Sequence, residues 1–169
     1  FNIPNSALDF QVYEDKIYVV TGGMNCVIDV FDISGKRLDT IEKKIENQPV
    51  SSDYKKKTLN WFKNDSPFKQ FYDFLKTRIS FKSEFPALKQ FFVIDGHIFL
   101  ITNKVDKKGQ NEIIITDLKG KELKRAFKKL PVGETPMMPS LLLAFTKTRY
   151  YKLVENEDEE EWELHIEAI

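Results

Sequence analysis

A chain of 169 residues, 41% apolar and 13% aromatic, is long enough for one domain with a sizeable core and is not compositionally disordered. Its 26 Lys and Arg are matched by 26 Asp and Glu, so nothing in the charge balance points to nucleic acid or an anionic membrane surface. No apolar stretch reaches the length of a membrane span, and the single cysteine, Cys26, excludes an internal disulfide framework.

In chain order, Asp9–Tyr13 reads as a strand, Glu14-Asp15 as a tight turn and Lys16–Thr21 as a second strand. Gly22-Gly23 falls in the loop that follows. Cys26 opens an apolar run and is expected to be a buried structural thiol. Ile28–Phe31 reads as a third strand. In Asp32-Ile33-Ser34-Gly35 the aspartate can hydrogen-bond its own turn backbone while the glycine closes the turn. Lys36–Lys43 is the fourth strand.

Residues 50–84 break this pattern and read as a helical insertion. Ser51-Ser52-Asp53 can cap a helix from Tyr54 to about Lys63, with Leu59, Trp61 and Phe62 giving it an apolar side. Asn64-Asp65-Ser66-Pro67 offers a second cap, with proline at the first helical position. Beyond it Phe68, Phe71, Tyr72, Phe74, Leu75 and Ile79 fall three and four apart, which predicts a second helix. The expectation is that these aromatics pack on the flank or rim of the sheets; the sharper alternative is a lid or partner-docking helix pair.

The strand pattern then returns. Gln90–Thr102 aligns without a gap on Asp9–Thr21, with the hairpin signal Asp95-Gly96 in the slot of Glu14-Asp15. Ile113–Leu123 aligns on Ile28–Leu38, sharing an aspartate, an aliphatic residue, a polar residue, glycine and lysine. The middle loop, Asn103–Asn111, is longer, and Lys121–Lys128 is the last strand of this unit. A third unit begins near Ser140. Leu141–Thr146, Tyr150–Glu155 and Trp162–Ile169 read as strands, separated by a turn at Lys147–Arg149 and an acidic loop at Asn156–Glu161. No fourth strand follows.

Tandem units of four antiparallel strands are the pattern of β-propeller blades. The expected fold is therefore all-β: a partial β-propeller with blades at about 7–46, 87–130 and 140–169 and the insertion at 50–84. Fewer than three complete blades leave the end sheets open. The leading expectation is the C-terminal part of a longer propeller. Self-association into a ring and another open β-structure are the other readings.

Chemistry-bearing motifs are sparse. His97 follows a turn and His165 lies in the last strand; neither has a third ligand at metal spacing, so both are expected to be ordinary turn and strand histidines. No nucleophile elbow, phosphate loop or dinucleotide fingerprint occurs. The acidic stretch 155–161 lacks the glycine and alternating pattern of a calcium loop and is expected to be a solvated hairpin tip. The Lys-aromatic interleaving at 54–74 has helical period, which favours packing over single-stranded nucleic acid. No catalytic, cofactor-binding or metal-ligating residue is assigned.

Ile17-Tyr18-Val19-Val20 together with Val30-Phe31-Asp32-Ile33-Ser34-Gly35-Lys36 resembles the bacterial six-bladed β-propeller proteins related to NHL-repeat propellers. The insertion leading to Phe85-Pro86-Ala87, and the ending Tyr150–Asn156 with Glu161-Trp162-Glu163-Leu164, are similar to the C-terminal part of that group. The resemblance spans most of the chain but rests on strand and turn motifs. It implies missing blades upstream, in this chain or another, and an extracytoplasmic bacterial location, periplasmic or at the cell surface. The convergent histidines of NHL-type lyases are not displayed. The function expected on this basis is a non-catalytic binding or scaffolding module for a protein or carbohydrate partner. The alternative is a lyase or hydrolase whose site lies in a central channel built largely by the absent blades.

Overall fold

The computed structural model describes residues 2–4, 9–130, 143–156 and 161–169. The fold is all-β with a helical insertion. Strand β1 (Asn2–Ile3) is followed by β2 (Asp9–Tyr13), β3 (Lys16–Val20), β4 (Cys26–Asp32) and β5 (Arg37–Lys43). These last four form an antiparallel meander in the order β2-β3-β4-β5. The insertion carries α1 (Ser52–Asn64), α2 (Tyr72–Leu75) and β6 (Ser80–Phe81). A second meander follows, β7 (Leu88–Ile94), β8 (His97–Val105), β9 (Asn111–Asp117) and β10 (Glu122–Lys128). The third sheet has the order β11 (Leu143–Phe145), β12 (Arg149–Asn156) and β13 (Glu161–Ala168). No fourth strand of this sheet lies among the described residues.

Local chemistry sets the turns. Asp95 and Gly96 adopt φ of 50° and 72°, the left-handed pair a two-residue hairpin needs. Glu14 takes φ of 52° in the equivalent slot, a conformation that costs a residue with a β-carbon. In the later turn, Asp32 Oδ1 accepts from Ser34 N at 2.9 Å and Lys36 N at 3.0 Å. Asp117 Oδ1 accepts from Lys119 N and Lys121 N, both at 2.9 Å. Asp106 repeats the device inside the long loop, accepting from Lys108 N at 2.8 Å and Gln110 N at 2.9 Å. In all three turns the glycine amide bonds the aspartate carbonyl (Gly35 to Asp32, Gly120 to Asp117, Gly109 to Asp106).

The three sheets stack face to face. Side chains opposite one another in an antiparallel pair share a face. In the first sheet, Tyr18, Ile28 and Val30 share one face and are buried against Phe91, Val93 and Ile98 of the second. In the second sheet, Phe99, Ile113 and Ile115 lie on the other face and are buried against Phe145 and Tyr150 of the third. The Phe99 and Phe145 rings stack with centroids 5.0 Å apart. The middle sheet is thus covered on both sides, which is why β8 and β9 are buried almost without alternation. β2, in an outer sheet, alternates instead.

The insertion has a core of its own. Phe62 of α1, Leu75 of α2 and Ile3 of β1 are buried together, with Trp61, Tyr72, Ile79 and Phe81 packed around them. Parallel pairing of β1 with β6 brings Ile3 in. A short antiparallel neck closes the insertion: Val50 N donates to Ser83 O at 2.9 Å and Phe85 N to Gln48 O at 2.8 Å. Ser51 is the N-cap of α1, its Oγ accepting from Tyr54 N at 3.1 Å, as its sequence position suggests.

Two expectations need correction. The helix expected from Phe68 is a 3-10 turn (Lys69–Phe71) running into the four-residue α2. Ser66 accounts for the early turn, its Oγ accepting from Phe68 N at 2.9 Å. The aromatics of this segment do not all pack inward either: Leu75 is buried, but Phe68, Phe71 and Phe74 are exposed. The strand expected at 141–146 is described over Leu143–Phe145; residues 131–142 and the tip of the acidic loop, 157–160, lie outside the described residues.

Candidate functional site

The titratable groups singled out in the sequence do not converge. His97 begins β8, its Nδ1 2.5 Å from the Asp95 carbonyl, and His165 lies in β13 with Nε2 2.7 Å from Glu163 Oε2. They sit in different sheets, each held by a neighbour two residues away. No group of three His, Cys, Asp or Glu residues placed to hold a metal ion occurs among the described residues. Cys26 is buried in the interface between the first and second sheets. Burial pushes its thiol up to about 12, against a smaller opposing effect of Lys43, so it is protonated at neutral pH.

Among the described residues, a dense polar constellation lies where the outer strands of the first two sheets meet. Lys43 Nζ of β5 is 2.9 Å from Glu122 Oε2 of β10. Arg125 binds both oxygens of Glu122, each at 3.0 Å, and reaches Glu112 Oε1 at 2.7 Å. Glu112 is buried, and its second oxygen accepts from Thr102 Oγ1 at 3.1 Å. The Arg125 guanidinium first, and Lys43 second, hold the Glu122 carboxyl down at about 2. Every charge in this network is compensated, so it joins sheets and leaves no poised acid or base.

Asp29 sits on the outer face of the first sheet among Thr21, Thr40 and Arg37. It pairs with Val19, which pairs in turn with Phe10, so it shares the outer face of the first sheet with Phe10, Val12 and Ile17. Its carboxylate accepts from Thr40 Oγ1 at 2.7 Å and Thr21 Oγ1 at 3.1 Å, with Arg37 at 3.5 Å. The Thr40 hydroxyl is the largest cause of its depressed pKa.

What stands out is exposed aromatic and apolar surface. On the insertion, Phe68, Phe71 and Phe74 recur every third residue and all face solvent. Arg78 stacks on Phe74, 4.2 Å from the ring centroid, and Lys76 lies over Tyr72 while pairing with Asp73 at 2.6 Å. Exposed aromatic rings on this segment thus lie near the Arg78 cation and the Lys76–Asp73 ion pair. Helical spacing alone suggests that these residues share a face; it does not say that the face is uncovered.

The chain matches no family model, no curated protein and no solved structure. No helix among the described residues is long and apolar enough to cross a membrane.

Proposed function

We propose that the chain is a non-catalytic binding or scaffolding module whose stacked sheets are blades of a β-propeller and whose insertion recognises a protein partner. The observation that carries the reading is the exposed row Phe68, Phe71 and Phe74, rooted on a core that is separate from the sheets. Each exposed ring would gain by insertion into an apolar pocket. Lys69, Lys76 and Arg78 beside them favour a partner that surrounds such a pocket with carboxylates. The blade reading draws support from the repetition of the same buried positions from sheet to sheet.

Selection of a displayed peptide library on the whole chain tests the proposal. Recovered peptides should bind the wild type and lose at least about tenfold in affinity for Phe71→Ser, the change expected when one buried aromatic anchor is lost. A glycan array with the same variant provides the carbohydrate arm; glycan binding that depends on Phe71 would replace a protein partner with a sugar. If neither screen yields a ligand sensitive to Phe71, the aromatic row is not a recognition surface.

A further inference from the structure

The three sheets use the same positions for the same contacts. Strand pairings place Ile28, Ile113 and Leu164 at one equivalent position and Val30, Ile115 and Ile166 at another, both on the face each sheet turns toward the next. In the first two sheets these residues are covered: Ile113 is 0% and Ile115 4% exposed. In the third, Leu164 is 57% and Ile166 50% exposed, with Trp162 and Leu153 exposed beside them.

The opposite face shows the converse. Phe10 corresponds to Phe91 and Val12 to Val93. Phe91 and Val93 are 1% and 6% exposed against the first sheet, whereas Phe10 and Val12 are 62% and 60% exposed. One chain thus presents both halves of an interface that it already makes twice internally. The two halves differ, so they cannot be joined by a two-fold axis through one patch; they fit head to tail.

We propose that a second copy of this chain docks there, the outer face of the third sheet of one copy covering the outer face of the first sheet of the other. Phe10, Val12, Leu164 and Ile166 would then become buried as their equivalents are. Asp29 stands where the second sheet has Ile114, and its carboxylate is already satisfied by Thr40, Thr21 and Arg37, so covering it leaves no unpaired charge.

The test is complementation between blocked faces, read by light scattering of the whole chain over a wide range of concentration. Wild type should associate as concentration rises. Phe10→Asp with Val12→Lys blocks one face, and Leu164→Lys with Ile166→Asp blocks the other; each variant alone should be monomeric. An equimolar mixture of the two should give a one-to-one heterodimer, because one open half of each kind remains. The milder Val12→Ser and Leu164→Ser variants repeat the comparison if the charged ones do not fold. A wild type that stays monomeric would mean that something other than a second copy covers these faces, and would overturn the proposal. Association of either blocked variant alone, or a mixture that stays monomeric, would overturn it too.

Discussion

Gly120 lies against Ile41: a β-carbon built on Gly120 would run into the Ile41 Cγ2 methyl, across the boundary between the second and first sheets. Gly120 also has φ of 81°, so it answers two demands at once, a left-handed turn and close approach by a neighbouring sheet.

Gly35 separates those demands. It occupies the same turn position in the first sheet, with φ of 84°, and a β-carbon placed on it would meet nothing within 4 Å. Gly35→Ala should cost about 1 kcal/mol from backbone strain alone. Gly120→Ala should cost about 2–3 kcal/mol, the excess coming from the displaced Ile41. Urea unfolding of both variants checks this. Equal losses would show that the sheets yield freely at this contact.

Acid should weaken the junction between the first two sheets. Glu122 is held at about 2 in the folded chain, below the ordinary value of 4.5. A depressed carboxyl contributes stability that is fully present above 4.5 and is lost as pH falls through about 2. Its side chain is 33% exposed, so solvent screening limits the contribution to about 1 kcal/mol. Urea midpoints measured between about pH 6 and about pH 2 should fall less for Glu122→Gln than for wild type. Parallel curves would assign the acid sensitivity elsewhere.

Arg125 carries a larger share, because it also neutralises the buried Glu112. Arg125→Met should cost about 2–3 kcal/mol at neutral pH by leaving that buried carboxylate with the Thr102 hydroxyl and no cation. Adding Glu112→Gln should recover part of the loss. A double variant no better than the single one would show that Arg125 acts through packing of its stem.

Cys26 should be inert in the folded chain. Its thiol is buried and raised to about 12, so a disulfide reagent should label it only as fast as the sheets open. Labelling should become rapid above the urea midpoint. Fast labelling in native buffer would show that the first and second sheets part easily.

Removing the insertion should leave the sheets intact. Its core of Ile3, Phe62 and Leu75 is distinct from the two between sheets, and the neck at 48–50 and 83–85 brings its ends together. Joining residue 49 to residue 85 through a short linker should preserve a single cooperative transition with a smaller urea slope, in keeping with less buried surface. Loss of cooperativity would make the insertion part of the sheet framework.

The strands and turns of the first two sheets are legible in the sequence because their determinants are local. Asp95-Gly96 and the paired Asp32-to-Gly35 and Asp117-to-Gly120 turns state their geometry within four residues. The third such turn, at Asp106, is hidden in a loop that resembles a charged tract, although its aspartate and glycine have the same spacing. Other features depend on distant partners. Nothing around Ile3 announces that it completes the core of an insertion far along the chain. Nothing in the spacing of Phe68, Phe71 and Phe74 says which aromatics of that segment will be covered. Phe10 and Phe91 look alike in sequence, and only the stacking of the sheets separates a covered ring from an open one.

The double-sided burial of the middle sheet also has a temporal meaning. During synthesis each meander emerges with one apolar face able to settle on the sheet made before it and another still bare. Ile113 and Ile115 stay wet until β11 and β12 arrive, so the adhesive surface advances along the nascent chain one sheet at a time. A pause in translation between the second and third sheets would strand that surface in the open.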